Sequence, residues 1–215
     1  QVDDSVSSEN PHVKLALKDQ LGAVSSALVN PFILMLIPRF LSHGLFISFM
    51  MNVYPTSLQY STILATNYPM ITAYYAFAMC AGTILSGLII PPLNRAFYDF
   101  GLRPMYYVTA ILQLIIYTIA ALTVPNRSTA EPTSESSFFE PRLSWVIMVS
   151  ILMGFADSSN TASSSVICSR LIPGRASHTY SAARLYRGVA ASTIFLCSPI
   201  LTMKMHSIIL IFITV

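Results

Sequence analysis

Met70–Leu93 and Pro104–Val124 carry no charged side chain over 24 and 21 residues, and about 20 apolar residues suffice to cross the hydrocarbon core of a bilayer. No other feature narrows the possible folds so far. A backbone in lipid must satisfy its own polar groups, which leaves helices or closed barrels, and runs of this length read as helices. The composition agrees: 54% of residues are hydrophobic, only 10% are charged, and the mean hydropathy is +0.63, whereas soluble domains carry about 25% charged residues. The sequence therefore describes an all-α integral membrane protein.

Several function classes drop out at once. There is no P-loop, no GxSxG and no HExxH, and the four histidines, His12, His43, His178 and His206, are scattered. No enzyme and no cofactor are expected. Cys80, Cys168 and Cys197 lie far apart in or beside apolar runs and read as small buried hydrophobes, not as a disulfide framework or a metal site. The basic residues flank apolar segments, so nucleic-acid binding is not expected either. Membrane lipid is.

Along the chain, residues 1–10 ("QVDDSVSSEN") are acidic and serine-rich and read as a disordered segment. Residues 11–28 read as an amphipathic helix, because Val13, Leu17, Leu21, Val24 and Leu28 recur at three- and four-residue spacing. It would lie on a membrane face or pack under a bundle. Membrane spans are predicted at about 31–52, 70–93, 104–124, 143–167 and 179–203, with a sixth at 205–215. Pro38 can kink the first, and the uncharged stretch 53–69 reads as a loop. In the second, Ala78, Gly82 and Ser86 fall at four-residue intervals and would let another helix approach closely. Since the chain opens at Gln1 and its last apolar run, "SIILIFITV", stops after nine residues, it reads as a fragment of a longer protein.

Lys and Arg positions set the orientation. One side would hold Lys14, Lys18, Arg95, Arg103, Arg170, Arg175, Arg184 and Arg187; the other would hold Arg127, Arg142 and Lys204, with Arg39 inside the membrane. Eight against three places the amphipathic helix in the cytosol. The loop 125–142 then falls on the extracellular or lumenal side, together with the sequon Asn126-Arg127-Ser128, a glycosylation acceptor.

The polar residues of the fourth span are the unusual ones. In "GFADSSNTASSS" (154–165), Asp157 is the sole acid inside any predicted span, and intramembrane acids usually face protein or water and have a partner. Counted from Leu143, Asp157 lies roughly 21 Å into the helix, and Arg39, counted from Pro31, roughly 12 Å in from the opposite face. These depths coincide, so an Arg39–Asp157 pair is expected, with Arg184 and Arg187 as alternative partners. Asp157, Asn160, Thr161 and Ser164 share one helical face, which fits either an interhelical hydrogen-bond seam or a wet cavity. Ser163 and Ser165 can bond their own backbone. His43 lies one turn from Arg39 and reads as a hydrogen-bonded interior histidine, with a proton carrier as the alternative.

Six spans, an amphipathic lead-in helix and a basic turn after the second span resemble half of a major facilitator transporter. Particular residues narrow the resemblance. "LIPRFLSHGLFISF" resembles the seventh span of the Unc-ninety-three-like proteins through Pro38, Gly44 and Phe49. "GFADSSNTA" resembles their tenth span through Asp157, Asn160 and Thr161, and "SAARLYRGVAAS" their eleventh, with a basic residue at Arg184. Ala162 stands where many members have Gln, and Phe46 where many have an acid. Of the superfamily's cytosolic loop signature, Gly87, Arg95, Gly101 and Arg103 are kept.

The resemblance implies the carboxy-terminal six-helix half of a twelve-helix major facilitator-type bundle, its amino-terminal half being absent from the chain. It also implies a function other than transport. Founding members regulate two-pore potassium channels in muscle, and some vertebrate relatives escort Toll-like receptors. The expectation is an accessory subunit of a potassium channel, multi-pass, in the plasma or endosomal membrane. A major facilitator-type carrier and a trafficking escort are the alternatives.

Overall fold

The computed structural model describes residues 17–97, 103–135, 137–171 and 176–214. The acidic segment 1–10 and residues 11–16 of the expected amphipathic helix lie outside them. The described residues form ten α-helices and no named strand: α1 Leu17–Leu28, α2 Pro31–Leu34, α3 Ile37–Ser48, α4 Tyr54–Tyr60, α5 Thr62–Asn67, α6 Ile71–Ala96, α7 Arg103–Thr123, α8 Leu143–Leu171, α9 Ala176–Cys197 and α10 Met203–Thr214. Ile71–Ala96, Pro104–Thr123 and Leu143–Arg170 are long and apolar enough to cross a membrane.

The first expected span differs from the one observed. Asn30 caps α2 by accepting the Phe32 N–H, and α2 ends after one turn at Leu34. The Pro38 ring would collide with the carbonyl four residues back, which is that of Leu34, so the chain turns at residues 35–36 and a new helix starts with Pro38 in its first turn. At its other end this helix runs through residues read as loop. A π turn over Phe49–Val53 joins α3 to α4, giving unbroken helix from Ile37 to Tyr60.

Proline explains the π turn's bonding. Within it the Tyr54 N–H bonds the Phe49 carbonyl, five residues back. The Met50 carbonyl thereby loses its α-helical donor, and five residues on stands Pro55, which has no N–H. Tyr75 of α6 supplies the missing bond, its hydroxyl donating to the Met50 carbonyl at 2.6 Å.

Two close pairings organise the bundle, α6 along α8 and α3 along α9. On α6, Ala78, Gly82, Ser86 and Ile90 are buried. A Cβ on Gly82 would run into the Ile151 carbonyl of α8, and one on Gly154 of α8 into the Met79 carbonyl of α6. Ser86 Oγ lies 3.2 Å from Ser159 Oγ, and Ser159 donates to the Phe155 carbonyl, so Ser86 is the donor between the two helices. Outward, Phe77, Ile84 and Leu88 are exposed, as a lipid-facing helix side requires. The α3–α9 approach uses Gly44, where a Cβ would strike the Arg187 carbonyl and Ala190.

The main core gathers Phe46, Phe49, Tyr54, Tyr117 and Met153, with Tyr117 edge-on to Phe49 at 5.2 Å between ring centroids. A smaller core of Ala27, Ile33, Phe40, Cys168, Ala182 and Ala183 lies where α1 meets α9. There the Tyr186 hydroxyl donates to the Leu28 carbonyl at 3.0 Å. Cys168 is thus buried among apolar groups, while Cys80 is exposed.

The polar stretch after α7 is docked. Thr133 bonds across the break at Ser61, its N–H to the Tyr60 carbonyl at 2.9 Å and its carbonyl receiving the Thr62 N–H at 3.1 Å. Asn126 Oδ1 accepts the Lys204 N–H at the start of α10, and Ser128 is buried with its hydroxyl on the Pro125 carbonyl. The sequon asparagine therefore also holds a helix end.

Candidate functional site

The polar residues of α8 meet the basic face of α9 and the first half of α3. His43 lies mid-helix on α3 and is only 3% exposed. Arg187 NH1 approaches its Nδ1 at 3.4 Å, and an arginine can only donate, so Nδ1 is the acceptor. The ring proton then sits on Nε2, which donates to Asp157 Oδ1 at 3.2 Å. One neutral imidazole thus links a guanidinium on α9 to a carboxylate on α8. Gly44, next to His43, is what brings the two backbones close enough for the link.

Arg39 has a different partner from the one expected. It donates to Ser163 Oγ at 2.6 Å and lies over the Tyr106 ring, 5.0 Å from its centroid. The expected Arg39–Asp157 pair is not formed; Asp157 is met by His43. The cause is the break before Pro38. Counting depth from Pro31 assumed one continuous helix, whereas Arg39 sits in the first turn of α3 and His43 lies one turn further on.

Both alternatives for the polar face find a counterpart. Toward the interior it is a seam: Asn160, Ser163 and Ser164 are buried, and Asn160 Nδ2 meets no acceptor among the described residues. Toward the outside, Asp157 and Thr161 edge onto an open groove of about 480 Å³ that Arg184 and Arg187 also line. Ser165 bonds its own helix, donating to the Thr161 carbonyl at 3.0 Å, while Ser163 accepts from another helix.

Arg184 and Arg187 both meet Tyr180, with their guanidinium carbons 5.0 and 5.4 Å from its ring centroid. Arg184 is exposed and Arg187 only 7% exposed. Arg39, His43, Asp157, Thr161, Arg184 and Arg187 are therefore gathered at one place, with Asn160 and Ser164 one and two turns along α8 from Asp157. Ser163, Tyr106 and Tyr180 were not anticipated. Only Tyr180 carried a readable signal, since it lies one turn before Arg184 and a tyrosine so placed offers a cation–π face. Asn126 lies elsewhere, after α7 and against the start of α10.

Charge in the cluster is unbalanced. Three guanidinium groups, Arg39, Arg184 and Arg187, face one carboxylate, which itself bonds the neutral His43. Such a set suits conformational coupling between three helices or recognition of an anion; no nucleophile–base pair appears in it.

No curated protein and no solved structure matches the chain. The family model described as "Ion channel regulatory protein UNC-93" matches residues 1–215. That match spans the whole sequence, and the chain belongs to the UNC-93 family of ion channel regulatory proteins.

Proposed function

We propose that the protein is a non-catalytic accessory subunit that regulates a potassium channel, and that the chain forms the carboxy-terminal six-helix half of a major facilitator-type bundle. The observation that carries the reading is the Arg187–His43–Asp157 chain of hydrogen bonds, considered with the family's regulatory role. It ties α3, α8 and α9 through groups that are costly to leave unpaired in a low-dielectric interior. The relative setting of these helices then fixes the shape of the outer surface, and the exposed Phe77, Ile84 and Leu88 of α6 offer an apolar face to a channel's helices. In this reading the basic helix ends and α1 are cytosolic, the 125–142 loop is extracellular or lumenal, and Asn126 carries a glycan at the plasma membrane or in an endosome.

Current recording tests it. A two-pore potassium channel is co-expressed with the full-length gene product, wild type or Asp157→Asn. The expected result is a current changed by the wild type and altered again by the variant at equal surface level. An unchanged current with both proteins at the surface would reject the reading. A carrier is the second reading, favoured by the open groove beside Asp157; it requires uptake of a solute that Asp157→Asn abolishes. An escort requires instead that loss of the protein mislocalise a client.

A further inference from the structure

The groove beside Asp157 does not end at the charged cluster. Ile47, Met51 and Ala191 line it and also line a second open groove of about 510 Å³. Through these shared residues the two run together as one cleft bounded by α3, the π turn, α8 and α9. Its first half is polar, bounded by Asp157, Thr161, Tyr180, Arg184 and Arg187. Its second half is bounded chiefly by carbon, where Phe195 and Leu196 stand 61% and 74% exposed. The π turn helps to shape the cleft, because Met50, Met51 and Asn52 belong to it.

We infer that this cleft binds an amphiphile with an anionic phosphate or carboxylate head and a single acyl chain. The head would lie between Arg184 and Arg187, toward the N-terminus of α9, and the chain would run along Met51, Ala191, Phe195 and Leu196. Three observations converge. Two guanidinium groups on one helix face present donors in the fork geometry that phosphate and carboxylate accept. Neither is met by a carboxylate among the described residues: Arg187 bonds a neutral imidazole, and Arg184 lies over a phenol ring. An anion would offset that excess positive charge, which is expensive in a membrane. Each half of the cleft is of ligand size, and the apolar half has no polar cluster of its own to select a head group. Asp157 sets the limit on the head's charge. Its side chain is 30% exposed on the α8 wall, so the head must sit on the α9 side.

The inference stands apart from the channel reading, since its test measures binding with no channel present. Full-length protein in nanodiscs is titrated with 1-oleoyl lysophosphatidate and complexes are counted by native mass spectrometry. Inorganic phosphate and 1-oleoyl lysophosphatidylcholine serve as head-only and charge-compensated probes. Saturable binding of lysophosphatidate is expected, with binding of the choline lipid at least about tenfold weaker. Arg184→Gln, at an exposed position whose one ring contact is with Tyr180, should weaken lysophosphatidate binding about tenfold, as loss of one charge-assisted contact does. Ala191→Trp, which fills the passage between the halves, should do the same, and the remote Arg142→Gln should do nothing. Equal binding of the choline lipid, saturation by inorganic phosphate alone, or an Arg184→Gln protein that binds like wild type would each overturn the inference.

Discussion

The α6–α8 and α3–α9 seams use the same device and reach opposite ends. In both, a glycine lets one helix rest against a backbone carbonyl of the other, Gly82 on Ile151 in the first and Gly44 on Arg187 in the second. Between α6 and α8 the space left over is closed with small groups and a Ser86–Ser159 hydroxyl contact. Between α3 and α9 it holds His43 and Arg187, reaches across to Asp157, and opens into a cleft. Close approach by itself therefore does not distinguish scaffold from working surface. What flanks the glycine does: methyls and hydroxyls can be sealed, whereas ionisable groups need partners and leave room for a ligand.

Breaking the sealed seam should cost most. Gly82→Leu drives a side chain into the Ile151 carbonyl, and overpacking costs about 1–3 kcal/mol, more where backbone is in the way as here. The melting temperature of the detergent-solubilised protein should fall sharply; an unchanged value would show that α6 and α8 do not touch there. Tyr75→Phe comes next. It removes the hydroxyl that serves the Met50 carbonyl and leaves a buried acceptor unpaired, a loss of about 1–3 kcal/mol, read from the same melting curves.

The working seam is better examined by coupling than by loss. A double-mutant cycle with His43→Leu and Asp157→Leu should give about 1 kcal/mol of interaction, the scale measured for hydrogen bonds between membrane helices. The corresponding cycle for Arg39 and Asp157 should give almost none, because Arg39 bonds Ser163. The reverse order would restore the pairing that depth arithmetic suggested. The smallest effect belongs to Gly87, which has nothing within 4 Å of an added Cβ. Gly87→Ala should leave stability unchanged or raise it by less than about 1 kcal/mol, the helix-propensity gain; a strong loss would place an unseen neighbour against that side of α6.

Much of this contrast could be read from residues. The small-residue spacing of Ala78, Gly82 and Ser86 pointed to a close helix neighbour, and Asp157 with Thr161 pointed to a polar face, because both patterns follow from a fixed helical period. The partner of Asp157 could not be read, since its depth was compared with that of a residue beyond a helix break. Pro38 carried that break, but a proline in an apolar run signals either a kink or a start, and only packing decides. The helix through 53–60 was hidden for a related reason. A proline two residues past a π turn looks, in one dimension, like a loop beginning.

The Tyr75–Met50 hydrogen bond has a consequence for the azimuth of α3. A π turn carries one residue more than an α-turn, and one residue is worth about 100° of rotation about a helix axis. Without the extra residue, everything on α3 would face a different quarter of the bundle when viewed from α4. On α3 as it stands, His43 meets Asp157. The angular setting of the ionisable face is thus not a property of the helix that bears it. It depends on a π turn whose freed carbonyl bonds a phenol on a neighbouring helix, 25 residues away along the chain.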